Sequence, residues 1–356
     1  MARTLARPER LAWVRLARTP RIGPLTFHRL IARYRTAAAA LDALPRISPL
    51  IAPDEARVAD EIGAAEAIGA RLVASCEPDY PPLLAQLDAP PPVLAMRGDA
   101  TLLSKPAVAL VGSREGSAAA LMFAERIAAE LGAAGFTVVS GLARGIDAAA
   151  HRGALRTGTA AVLAGGLDHP YPPQNLKLHA EIVEHGLVVS EAPLGTIARA
   201  RDFPRRNSII SGVSRAVVIV EAALRSGSLI TARAAADQGR EVMAAPGSPL
   251  DPRARGCNAL IKQGATLIES AEDIIAALGD AAPLPRPLST GPLFAEIEPP
   301  PIGLPGRIAK LLSPTPVHVN DLARLVDAPA SAVTAALTEL ELNGQAASLP
   351  GGYAAS

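Results

Sequence analysis

The residues of this chain best suited to chemistry sit in two glycine-rich turns, VALVGSREGS (108–117) and VVSGLARGIDAAAH (138–151). Each turn follows a β-branched run and opens into an alanine-rich helical pattern. Strand, turn and helix start, in that order, aim unpaired backbone N–H groups and a positive helix end at an anion. The first turn brings Gly112 for close backbone approach, Ser113 for a hydroxyl and Arg114 for a bidentate phosphate clamp. The second brings Ser140, Gly141 and Gly145.

More turns of this kind follow downstream. Gly165-Gly166 leads to Tyr171, Asn175 and Lys177; Ser226, Gly227 and Ser228 open another helix; Pro246-Gly247-Ser248 follows a later strand. A mononucleotide needs one or two such nests, whereas a row of them suits a ligand with several phosphates in line. Neither turn has the G-x-x-x-x-G-K-[ST] of a P-loop NTPase. The full dinucleotide fingerprint is missing too. The second strand ends in Ser140-Gly141, where a dinucleotide binder places an acid for the ribose, so NAD is not expected. Asp147 and His151 lie one helical turn apart with no nucleophile beside them, and they are read as a structural pair. Glu191 and Glu221, at strand ends, are read as partners for arginines or backbone amides. No catalytic residue, metal site or cofactor is expected.

The elements that must position these turns are legible as periods. Apolar runs at 107–111, 136–140, 159–164, 186–190, 215–221, 241–245 and 265–268 alternate with helical patterns at 117–134, 145–157, 174–185 and 228–239. Continuous apolar strands alternating with helices predict a doubly wound, Rossmann-like parallel sheet spanning 105–280, with its ligand crevice at the strands' C-terminal ends. Residues 1–75 read as a small helical domain, with Thr19 to Leu25 as a hairpin turning at Gly23 (a helix-hairpin-helix-like pattern). Residues 76–104 are proline-dense and are expected to run extended as a connector, and the proline-rich 281–303 is expected to be a linker. Residues 304–356 pattern as a winged helix-turn-helix.

Charge is decided locally, because 35 basic and 34 acidic residues nearly cancel over 356 residues. The first 35 residues hold nine arginines against one acid, Glu9. Residues 199–207 hold four arginines, Arg205 and Arg206 among them, against one acid, and end in Asn207. Together with Phe203 and Tyr171 they make a cationic stripe with an occasional ring, as a sequence-tolerant single-strand binder needs. The tail is different: 304–356 holds three basic and four acidic residues, and its third helix carries Glu339 and Glu341 without a cation. Tight duplex binding there is not expected; a protein-contact or regulatory role is. Cys76 and Cys257 are far apart, which fits buried thiols in a reducing compartment. No apolar run is long enough to span a membrane, and a cytoplasmic location is expected.

At this point VGSR, SGLARGIDAAAHRGAL, VLAGGLDHPYPPQN, SEAP, FPRRN, EAALRSGSLITARAAADQGREV and APG together resemble the DprA family of DNA-processing proteins, also called Smf, from about Ala107 to Ile268. The resemblance implies a non-enzymatic cytoplasmic homodimer of natural transformation that binds and protects incoming single-stranded DNA and helps load RecA recombinase. It places Arg114 and Lys177 on the DNA backbone. Gly141, Leu142, Ala143 and Gly145 would supply amides, and Arg205, Arg206 and Asn207 charge and a polar side chain. Where the family commonly reads Arg-Asn-Arg, this chain has Arg206-Asn207-Ser208, one cation fewer. The competing reading is a nucleotide-processing enzyme of the phosphoribohydrolase type using the same crevice, with Glu191 or Glu221 as its acid.

Overall fold

The computed structural model describes residues 3–47, 50–279 and 303–355. Four helices come first: α1 (Arg7–Ala17), α2 (Pro24–Tyr34), α3 (Ala37–Ile47) and α4 (Glu55–Ala67). Next are β1 (Ala70–Ala74), α5 (Pro82–Ala85) and β2 (Val93–Gly98). Then strands and helices alternate through β3 (Ala107–Val111), α6 (Ala118–Ala133), β4 (Thr137–Ser140), α7 (Ile146–Ala154), β5 (Thr159–Leu163), α8 (Leu176–His185) and β6 (Leu187–Ser190). The second half adds α9 (Phe203–Gly212), β7 (Ala216–Ile219), α10 (Ser228–Asp237), β8 (Glu241–Ala244), α11 (Arg255–Lys262), β9 (Thr266–Leu267) and α12 (Ala271–Gly279). The tail consists of α13 (Leu304–Leu311), α14 (Val319–Val326), α15 (Ala330–Leu342), β10 (Ala346–Leu349) and β11 (Gly352–Ala355).

Nine strands form one sheet in the order β1-β2-β6-β5-β4-β3-β7-β8-β9. From β6 to β9 every pairing is parallel, while β2 runs antiparallel to both β6 and β1. Side chains alternate between faces: Ala107, Ala109 and Val111 of β3 join one core cluster, Val108 and Leu110 another. Both faces are covered, which is why the strands read as unbroken apolar runs. All seven predicted strands and the expected Rossmann-like core are present. The chain progresses one way from β3 to β6 and the other from β7 to β9. The reversal opens a crevice beyond β3 and β7, the usual ligand position in open α/β sheets.

The 76–104 segment is not simply a connector. Pro82 starts a short helix, and the apolar run Val93–Met96 after the prolines becomes a buried strand at the sheet's margin. The prolines obscure this strand because they offer no N–H, yet their carbonyls are used. Trp13 Nε1 donates to Pro92 O at 2.8 Å, Tyr80 Oη donates to Pro91 O at 2.7 Å, and His28 Nε2 lies 2.9 Å from Pro90 O. The N-terminal helices are thereby seated on the sheet, and one apolar cluster runs from Leu5 through Phe27 to Val188. Helices α9, α11 and α12 were not assigned from periodicity. In α9, Pro204 sits in the first turn, a position it favours, and burial along much of its length blurs any polar face.

The tail folds as expected, three helices and an antiparallel hairpin, and packs on α6, with Ala118 joining its core. Lys310 pairs with Glu115 at 2.7 Å and Arg324 with Glu125 at 3.4 Å. The guanidinium of Arg253 donates to the carbonyls of Lys310 and Leu312 at the end of α13. The expected linker 281–303 lies outside the described residues apart from Gly303. Among the described residues no helix is long and apolar enough to cross a membrane.

Candidate nucleic-acid interface

The glycine turns form, but carboxylates of the chain itself occupy much of their anion-binding capacity. Glu221, following β7, reaches across the crevice to the start of α6. It accepts the Ser117 N–H at 3.0 Å and the Ser117 hydroxyl at 2.7 Å, and its own carbonyl accepts Ser113 N–H at 2.7 Å. Burial pushes the Glu221 carboxyl up, against the Ser117 hydrogen bonds that pull it down. Asp147, in the first turn of α7, accepts the Gly141 N–H at 3.1 Å and the Ala143 N–H at 3.4 Å. The expectation that Gly141 and Ala143 offer their amides to a phosphate is therefore corrected: those two donors are satisfied from within.

Asp147 does not pair with His151. Its carboxylate faces Arg206 at 3.8 Å, and both side chains are buried. His151 instead sets Nδ1 2.7 Å from Thr159 Oγ1, whose hydroxyl donates to Val138 O. Complete burial, with Arg206 and Arg152 nearby, holds its imidazole neutral with a pKa of about 3. The i, i+4 spacing is real, but His151 points under the sheet, away from the turn. Burial raises Asp147 despite Arg206 and the two amides.

Arg206 reaches Asp147 only because residue 141 is glycine. A Cβ at Gly141 would lie 1.2 Å from Arg206 Nη1, so the guanidinium occupies the space a side chain would need. The same guanidinium lies 5.5 Å from the ring centre of Phe203, and Arg114 lies 5.2 Å from that ring. Tyr171 meets Phe203 edge-on at 6.3 Å and 73°. With Gly141, Ala143, Arg144 and Pro172 they line a small recess above the sheet. Guanidinium and ring alternate around it, giving flat faces for a base beside cations for phosphates.

The other candidates divide between the surface and the frame beneath it. Arg114, Lys177 and Arg205 are exposed on the rim, and so is Gly227. Arg205 pairs through Nη2 with Glu191 Oε1. Ser226 and Ser228 set their hydroxyls 2.8 Å apart at the start of α10. Ser140 is buried and donates to Leu110 O at 2.6 Å; Asn207 is buried with Nδ2 3.5 Å from Gly227 O. Leu142 buries its side chain with φ +58°, a conformation uncommon for a side-chain-bearing residue, and Asn175 secures it. Asn175 Nδ2 donates to Leu142 O at 2.9 Å and to Ala143 O at 3.1 Å. Gly145 has φ +76°, and a Cβ there would lie 2.2 Å from Ser113 O, so the two turns touch at Gly145. Gly112 packs tightly against Ile146. Ser208, the departing position, donates weakly to Pro204 O at 3.4 Å.

Sequence reasoning passed over Arg144, which lines the recess, although its place between Ala143 and Gly145 in the second turn was a usable signal. It also missed that the N-terminal hairpin reaches this edge. Arg18, held by Glu61 at 2.9 Å, donates Nη1 to Glu191 O at 3.0 Å. Nothing short-range in the sequence announces a contact across that separation.

A Rossmann-like core with a small helical domain before it, a winged helix after it and a guanidinium-and-ring recess at its crevice defines the class. The chain belongs to the DNA recombination-mediator protein A family, whose model matches residues 71–279. Models of the DprA-like N-terminal HHH domain and the DprA winged helix domain match 7–68 and 294–352. Protein Smf of Synechocystis sp. is 44% identical over 214 residues, 58% of this chain and 54% of that protein. The chain thus spans about half the length of that relative. The X-ray structure of DNA processing protein A from Streptococcus pneumoniae superposes with a TM-score of 0.59 at 38% identity, covering 68% of this chain and 82% of that one. DNA processing protein A from Helicobacter pylori gives 0.54 at 30% identity, covering 59% and 95%.

Proposed function

We propose that this protein binds single-stranded DNA without sequence preference along the rim above β3–β7, shields it, and helps load RecA recombinase on it during natural transformation. On this reading it acts as a homodimer in the cytoplasm, without cofactor or catalytic step. The H. pylori relative, whose solved structure is described for its single-stranded DNA binding mode, supports it. So does the family's description as a recombination mediator. The carrying observation is the recess in which Arg114 and Arg206 flank Phe203 beside Tyr171. Because Glu221 and Asp147 already neutralise two amide turns, the strand's phosphates fall to the side chains of Arg114, Arg144, Lys177 and Arg205, with the rings taking bases. The hydrolase reading needs Glu191 or Glu221 free to act on a nucleotide, but Arg205 and Ser117 hold them.

The test is a titration of oligothymidylate at several salt concentrations, with duplex DNA in parallel. Single-strand binding is expected to weaken steeply with salt, and Arg114→Ala and Lys177→Ala each to flatten the logarithmic slope by about 0.7. Arg114→Ala should cost about 1 kcal/mol more than Lys177→Ala because it also leaves the Phe203 face. Parent-like binding by both variants would refute the placement.

A further inference from the structure

A second, larger cavity of about 590 Å³ lies between the N-terminal hairpin and the edge of the sheet. One wall is the α1–α2 turn with Arg21; the other includes Ala192, Thr196 and Arg205. Glu191 also lines the cavity and is only 7% exposed. Arg205 takes its Oε1, while Oε2 is buried without a hydrogen-bond partner. A buried carboxylate oxygen in that condition is costly unless something donates to it. Arg206 lines this cavity as well as the ring-bearing recess, so the two are neighbours across one side chain.

We infer that this cavity takes one base of the bound single strand and that the base it favours is guanine. The inference rests on the single-strand reading above and adds a position at which the strand is read. Guanine is the base whose edge matches the wall. Its N1–H and N2–H donate to a carboxylate oxygen, and the adjacent O6 accepts from a guanidinium such as Arg205 beside Glu191. Thymine offers one N–H between two carbonyls, which face a carboxylate unfavourably. Cytosine and adenine offer an amino donor but lack the neighbouring ring N–H. The cavity is ample for a nucleotide, and Arg21 at its mouth is a cation for the adjoining phosphate.

The experiment uses the full chain and short strands that leave little freedom to slide: dT heptamers carrying one guanine, moved through the seven positions. They compete with a labelled longer oligothymidylate. At one or two positions guanine should raise affinity about tenfold over the all-thymine heptamer, the worth of one hydrogen bond to a charged group. In Glu191→Gln that ratio should fall to near one, whatever happens to thymine binding itself. Ala192→Trp, which fills the cavity and leaves Glu191 in place, should also abolish it. No guanine gain at any position in the parent, or an unchanged gain in both variants, overturns the inference. Thymine binding that persists through such a failure leaves the single-strand reading intact. Free dGMP, lacking neighbours on the rim, should compete far more weakly than the best heptamer; equal competition would overturn the placement within a strand.

Discussion

Replacing Gly141 by alanine adds one methyl group and should unseat the centre of the site. The new Cβ would stand 1.2 Å from Arg206 Nη1, an impossible contact, while the backbone at 141 does not need glycine's left-handed region. The guanidinium has to leave, and with it goes the 3.8 Å contact to the buried Asp147 carboxylate. Breaking a buried pair by losing one partner costs about 3–5 kcal/mol. Asp147 keeps the Gly141 and Ala143 amides, and alanine restricts the unfolded chain slightly, so about 2–4 kcal/mol is the expected net loss. Urea denaturation of Gly141→Ala, Arg206→Ala and the double variant measures it. If the damage runs through Arg206, the two changes are strongly non-additive, with Gly141→Ala nearly neutral once Arg206 is gone. Additive losses, or a single variant within about 0.5 kcal/mol of the parent, would refute the reasoning.

Two further outcomes follow from the same geometry. His151 is buried and neutral, with a folded pKa of about 3 against an ordinary value of 6.5, so the unfolded chain binds its proton first. Its contribution to stability is complete above pH 6.5 and is lost as pH falls toward 3; the raised carboxyls of Asp147, Glu191 and Glu221 act in the opposite sense. The difference in denaturation midpoint between the parent and His151→Gln should therefore shrink steadily from pH 7 to pH 4, and a constant difference would contradict it. Arg253→Ala removes donors to the Lys310 and Leu312 carbonyls, whereas the Lys310–Glu115 and Arg324–Glu125 pairs are exposed and contribute little. Limited proteolysis should release the tail faster from Arg253→Ala than from Lys310→Ala; the reverse order would count against this account of how the tail is held.

The sheet could be read from its sequence because both its faces are covered, so each central strand is an uninterrupted apolar run between glycine turns. β2 escaped for a related reason: its short run, Val93–Met96, begins immediately after three prolines that signal a loop. In the site, the types of residue were legible and their allegiances were not. Arg205 and Arg206 are adjacent in sequence, yet α9 turns one outward to Glu191 and the other inward to Asp147. Helical direction decides this, and a segment read only as a cluster of charge does not reveal it. Likewise Ser140, Leu142, Asn175 and Asn207 lie where the motif implies, but as the frame that fixes the turns. Glu221's reach to Ser117 joins two strand ends distant in sequence, so only the fold brings it into view.

The three proline carbonyls beneath Trp13, His28 and Tyr80 bear on how the molecule comes apart. Because the apolar cluster from Leu5 to Val188 is shared by the leading helices and the sheet margin, neither party has a finished interior by itself. Severing the chain near residue 70 would strip the margin of its cover and leave Trp13 and Phe27 in water. Heat should accordingly melt the first two-thirds of the polypeptide as one cooperative body. The name of a separate leading module describes its shape more faithfully than its thermodynamics.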